Sequence, residues 1–117
     1  MRALPNNAPT NVAALDNRDE KAGNASHTYG IQWGGPGEGV TIQFQHGARG
    51  LPTSTAGVFD DDLLAIVEDR LQGFQSGSFA CEENAQALAF LQCAREALGA
   101  RVARRIAAGV LGANKPH

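Results

Sequence analysis

At 117 residues the chain is long enough for one domain and too short for two of ordinary size. Its 43% hydrophobic and 19% charged composition is that of a folded globular protein, and a net charge of -2 gives no basic field to recruit a nucleic acid polymer or an acidic membrane. No apolar run approaches transmembrane length, and the first residues lack the continuous apolar core of a secretory signal, so a soluble protein retained in the cell that makes it is expected.

Residues 1–26 are rich in Asn, Ala and charge, with two prolines and little periodicity. They read as a flexible arm; a short helix near Val12 to Lys21 is the alternative. Beyond it, Tyr29, Ile31 and Trp33 alternate with smaller or polar residues, as do Val40, Ile42 and Phe44. Two period-2 segments around GGPGEG predict an antiparallel β-hairpin over 27–47 with one buried face. The glycine-rich connection lacks the Gly-Lys-Ser/Thr ending of a phosphate loop and leads into a strand, so it is a turn.

After the polar stretch ARGLPTSTAG, a helical hairpin is expected over 59–109. Its first helix starts at FDDDLL, with Asp60 as cap and Asp61 and Asp62 at the positive end of the dipole, and Gly73 as terminator. Leu64, Val67, Leu71 and Phe74 form its apolar stripe. A second helix runs from about Phe79 to Ala108, with Ser78 placed to cap it and Gly109 to end it. Its seam is Asn84, Leu88, Leu91, Arg95, Leu98, Val102 and Arg105, at alternating spacings of four and three. The second helix is about twice as long as the first, so a second copy of the chain is the natural partner for its C-terminal half. The fold class is therefore α+β: a β-hairpin, then two helices, the second long, in one domain over 27–117 that assembles with its own copies.

The chemistry-bearing residues favour binding over catalysis. His27, His46 and His117 are scattered and form no nucleophile–base arrangement. Cys81 and Cys93, on one helix, stand roughly 18 Å apart, too far for an intrachain bridge. The Asp60–Asp62 run is explained by a helix start, as is the Glu82–Glu83 pair. No metal and no cofactor is expected. Charge is unevenly distributed: residues 60–83 hold seven acidic groups against one arginine, Arg70, whereas residues 95–105 hold four arginines against one acid, Glu96. Arg101 and Arg105 share a helix face, with Arg104 beside them. Such a cluster compensates a helix dipole or grips phosphate oxygens through guanidinium forks. Phe74 and Phe79 flank the interhelix turn, where an aromatic either packs in a core or stacks on a purine. Asn84, an amide in a seam, reads a base edge or fixes dimer register. Along one helix Asn84 and Arg101 are roughly 26 Å apart, about twice the length of a nucleotide. Antiparallel pairing of the second helix with its copy brings Asn84 of one chain towards the arginines of the other, giving a symmetric dimer with two equivalent sites.

The segments LLAIVEDRLQGFQSGSFACEENA and ARVARRIAAGVLG resemble the helical hairpin of phage immune-evasion sponges of the Thoeris anti-defence one family, shared with the anti-CBASS two sponges. The preceding β-hairpin, ending in FQHG, is similar to the anti-Thoeris branch. The resemblance implies a protein of the infected host's cytoplasm that binds cyclic ADP-ribose isomers or cyclic oligonucleotides without cleaving them, as a homodimer or hexamer. It implies base stacking by Phe74 in QGFQ, a hydrogen bond from Asn84 in CEEN, and phosphate contacts from Arg101 and Arg105 in ARVARR, with Arg104 alongside. Arg49, in the loop after FQHG, is implied for a second, cyclic-trinucleotide site. The run GLPTSTAGVF departs from the family's usual sequence there. The competing readings are a phage structural or regulatory oligomer without a nucleotide ligand, and a cyclic-nucleotide hydrolase.

Overall fold

The computed structural model describes residues 1–109; His117 and the domain limit placed at residue 117 lie outside them. Four strands, a short 3-10 turn and two helices follow one another. The strands β1 (Arg2–Leu4), β2 (Asn11–Ala14), β3 (Thr28–Gln32) and β4 (Gly39–Gln43) form an antiparallel meander in chain order. The helices are α1 (Asp60–Gln75) and α2 (Glu82–Ala107). This is the expected α+β architecture, with a larger sheet than a single hairpin. The chain divides into two compact units, one holding residues Met1–Val58 and one beginning at Phe59, where the sequence suggests one domain from residue 27.

Register explains the sheet. Leu4, Val12, Ile31 and Val40 are successive partners across all four strands, and so are Arg2, Ala14, Tyr29 and Ile42. Directly opposed residues share a face, so the alternation read in β3 and β4 extends through β2 to Leu4 of β1 as a largely apolar face, with Arg2 at its edge. The other face carries the row Ala3, Ala13, Gly30 and Thr41. There the Leu15 side chain crosses Gly30, where a Cβ would come within 3.3 Å of its Cδ1. Trp33 and Glu38 close the β3–β4 connection, Trp33 N–H donating to the Glu38 carbonyl at 3.0 Å, with Gly37 at φ +84°.

The flexible arm expected over residues 1–26 is corrected: it supplies β1, β2 and the 3-10 turn Glu20–Ala22. Strands of three and four residues are too short to carry a periodicity above the surrounding Asn and Pro. Their order comes from non-local partners. The Asp16 carboxylate accepts from the backbone N–H groups of His27 and Thr28, tying the end of β2 to the start of β3. His27 stacks on His46 with ring centroids 4.0 Å apart, and His46 Nε2 meets Asp19 Oδ2 at 3.0 Å. Ala14 is the one buried hydrophobic residue among the described ones, so the sheet unit has a thin core supplemented by polar ties.

Both helix starts differ from the expected caps. Phe59 precedes α1, and its N–H donates to Asp62 Oδ2 at 2.8 Å, so Asp62 rather than Asp60 serves the N-terminus. Cys81, not Ser78, caps α2, its Sγ accepting from Asn84 N–H at 3.4 Å. Gly73 does not end α1, which continues to Gln75 with Ser76 Oγ donating to the Gly73 carbonyl at 2.7 Å. Gly109, at φ +72°, follows α2 as expected.

The protected positions of α2 are Asn84, Leu88, Leu91, Arg95, Leu98 and Arg105, which is the expected seam apart from the more exposed Val102. On α1 the stripe is rotated. Asp61, Leu64, Glu68, Leu71 and Gln75 are protected, while Val67 and Phe74 are exposed. Arg95 is the cause. Its Nε and Nη2 donate to the two Asp61 oxygens at 2.8 and 3.0 Å, and its Nη1 donates to Glu68 Oε2 at 2.9 Å. A bidentate guanidinium in the seam holds the two carboxylates at protected positions where apolar side chains are expected.

Candidate ligand site on the helical hairpin

The turn between the helices is held by its own side chains. Cys81 N–H donates to Gln75 Oε1 at 3.0 Å, and Asn84 Nδ2 donates to the Phe79 carbonyl at 3.3 Å. Asn84 therefore braces the turn with its amide nitrogen, while among the described residues its amide oxygen accepts no hydrogen bond. Phe79 meets Phe74 edge-on, centroids 6.3 Å apart at 70°. The two rings, set edge-on, leave no parallel slot between them for a flat group. Phe74 is 36% exposed and Phe79 74%. A guanidinium, that of Arg70, lies 5.4 Å from the Phe74 centroid.

The structure thus brings Phe74 and Asn84 together at one end of the hairpin. It does not bring the arginines to them. Helix α2 runs unbroken from Glu82 to Ala107, which keeps Asn84 and Arg101 roughly 26 Å apart. Arg101 and Arg104 are exposed, whereas Arg105 is buried at 5% exposure, so the two arginines expected to act as a pair sit in different surroundings. Arg49 belongs to the sheet unit, where its Nη2 donates to the Gly57 carbonyl at 3.1 Å.

An open hollow between the helices is lined by Asp61, Glu68, Arg95 and Glu96 among others. Hydrogen bonds from Arg95 hold the Asp61 carboxyl below the ordinary carboxylate range. The guanidinium is already engaged by two carboxylates, with a third acid alongside, and that surplus of negative charge disfavours a phosphate.

Sequence reasoning missed Arg70, Gln75 and the capping role of Cys81. Only Arg70 carried a signal: it stands four residues before Phe74, and it is the single cation among seven acids.

The sequence model described as "Acb2/Tad1, hairpin domain" matches residues 38–103, more than half of the chain. The chain belongs to the Acb2/Tad1 hairpin-domain family. The match takes in β4, α1, the braced turn and most of α2, with Arg49, Phe74, Asn84 and Arg101 inside it and Arg104 and Arg105 just beyond. A curated relative, Thoeris anti-defense 1 of Bacillus phage SBSphiJ7, is 39% identical over 85 residues, which cover 68% of this chain and 55% of the relative. The chain spans about half the length of that Acb2/Tad1 relative. Among the described residues, no helix is long and apolar enough to cross a membrane.

Proposed function

We propose that the chain is a phage anti-defence protein that binds a cyclic nucleotide messenger and holds it without cleavage. A glycocyclic ADP-ribose made by a Thoeris TIR enzyme is the first candidate, and a CBASS cyclic oligonucleotide the second. The observation that carries the reading is the braced turn within the family match, where a partly exposed Phe74 meets Phe79, whose carbonyl Asn84 holds, and where the Asn84 amide oxygen accepts no hydrogen bond among the described residues. Phe74 stacks on the base, Asn84 reads its edge, and Arg101, Arg104 and Arg105 take the phosphates. The 26 Å length of the helix between these groups makes the site a shared one (roughly twice a nucleotide's length). Two copies with antiparallel α2 helices bring the turn of one to the arginines of the other. Arg49 serves a separate cyclic-trinucleotide site in a larger assembly, up to a hexamer. The setting is the cytoplasm of the infected host.

The roles already taken by the candidate catalytic groups favour sequestration over hydrolysis. Asp61 and Asp62 are engaged in an ion pair and a helix cap, and Cys81 caps α2. The test is calorimetry against a panel of cyclic ADP-ribose isomers and cyclic oligonucleotides, followed by chromatography of the ligand released on heating. Sub-micromolar binding with intact ligand recovered supports the sponge. A chemically altered ligand would mean a hydrolase, and no binding across the panel would mean an oligomer without a nucleotide ligand.

A further inference from the structure

The single cation of the acidic block makes an unusual choice. Arg70 stands on an exposed stretch of α1 beside Asp69, with Glu68 and the Asp60–Asp62 run on the same helix. Yet it forms no salt bridge among the described residues, and its guanidinium lies over the Phe74 ring at 5.4 Å. Positions four apart on a helix are neighbours, so the placement needs no distortion of α1. Phe79 contacts Phe74 edge-on and steadies the ring from another side. Phe74 is therefore flanked by a cation and by a second aromatic ring at a steep angle, with part of its surface still open.

We infer that Arg70 is a specificity-determining residue of the base-binding half of the site, acting as a cationic plate behind Phe74. This rests on the proposed reading that Phe74 stacks on a nucleobase. A guanidinium over one face withdraws electron density from the ring and fixes its plane. An electron-rich purine on the part of the ring left open then stacks on a rigid, polarised surface. The planar, weakly hydrated guanidinium suits this position, and the compact, strongly hydrated ammonium of a lysine does not. The contribution is short-ranged. It should differ in salt response from that of the phosphate-binding arginines, whose long-range attraction is screened by ions.

The test compares wild type, Arg70→Ala and Arg70→Lys by calorimetry with glycocyclic ADP-ribose at low and high salt, with thermal melting as the control for folding. Arg70→Ala is expected to weaken binding about fivefold, to the same extent at both salt concentrations and with an unchanged melting temperature. Arg70→Lys is expected to recover less than half of that loss. Wild-type affinity in Arg70→Ala overturns the inference. So does full affinity in Arg70→Lys, or a loss that disappears at high salt, because charge alone would then account for the effect. A melting temperature that falls with the affinity assigns Arg70 to folding and also overturns it. If the wild type itself does not bind this probe, the underlying reading of the ligand fails instead.

Discussion

Arg101 and Arg105 lie one helical turn apart, yet only Arg105 is buried. The two substitutions should therefore separate. Arg101→Ala removes an exposed guanidinium, so binding should weaken about ten- to a hundredfold, the worth of one charge-assisted hydrogen bond or more, with a smaller change in melting than Arg105→Ala. Arg105→Ala also leaves a gap where a long side chain was packed, and should lower stability by about 2 kcal/mol as well as binding. Calorimetry and thermal denaturation on the two variants check this; equal melting temperatures would contradict it. A second residue-scale expectation concerns His27. It is buried, and among the described residues its Nδ1 finds no hydrogen-bond partner. Burial, reinforced by the neighbouring His46, pushes its pKa below the ordinary 6.5, against the opposite pull of Asp16 and Asp19. The unfolded chain thus takes up a proton more readily than the folded one. The stability due to neutral His27 is full above that ordinary value and is lost as pH falls through it towards the folded one. Trp33, the only tryptophan, reports on the sheet unit by fluorescence. Its melting midpoint should be lower at about pH 5 than at about pH 7.5, and His27→Gln should flatten that slope. A further loss belongs to the more acidic range. There Asp19 gives up its hydrogen bond from His46, and Asp16, raised by burial but lowered more by the Thr28 and His27 N–H groups, becomes protonated.

At the scale of elements, Arg95 sets how α1 and α2 meet. Removing it leaves Asp61 and Glu68 facing each other in the seam without their cation. Arg95→Met should lower the melting temperature of the hairpin by about 5 °C, whereas adding Asp61→Leu and Glu68→Leu should restore most of it, since an apolar seam tolerates what a half-paired one does not. Circular dichroism at the helix band checks both. This clamp also shows where the sequence was legible. The α2 seam could be read residue by residue because a 26-residue helix repeats its pattern through many turns. The α1 stripe was misread because hydrophobicity ranks Val67 and Phe74 above Asp61 and Glu68. That ranking is blind to a guanidinium 27 or more residues away in the chain. β1 and β2 escaped notice for a related reason: their alternation acquires meaning only when Ile31 and Tyr29 lie opposite. Of the candidate site, Phe74 and Asn84 were readable as polar or aromatic exceptions near a turn. The Arg70 contact and the Cys81 cap depend on side-chain directions that spacing does not specify.

For the whole molecule, the deciding feature is the face of α2 that flanks its seam, about 100° around the helix from it. At about 100° per residue, Glu83, Ala87, Phe90, Ala94, Ala97 and Arg101 fall on one stripe. Phe90 at its middle is 75% exposed, and Cys93 beside it is an exposed free thiol. Small residues on either side of an aromatic allow two helices to approach closely, each Phe90 packing against alanines of the other. An antiparallel copy centred near Gln92 sets Glu83 against Arg101 at both ends, so charge favours that direction, while parallel pairing would oppose like charges. The same superposition brings each Asn84 level with the arginine end of the other helix, as the proposed shared site requires. Phe90→Asp places two carboxylates at the centre of this contact without touching the seam, the turn or the arginines. Sedimentation should show the assembly falling to a smaller species, and calorimetry should show ligand binding falling with it, at least tenfold at about micromolar protein. Ligand affinity that survives in a dissociated chain would locate the whole site within one hairpin, and the 26 Å separation would then have to be bridged by a longer ligand. Restoration of both assembly and binding by Phe90→Leu would place the requirement on apolar packing at the centre of the paired helices.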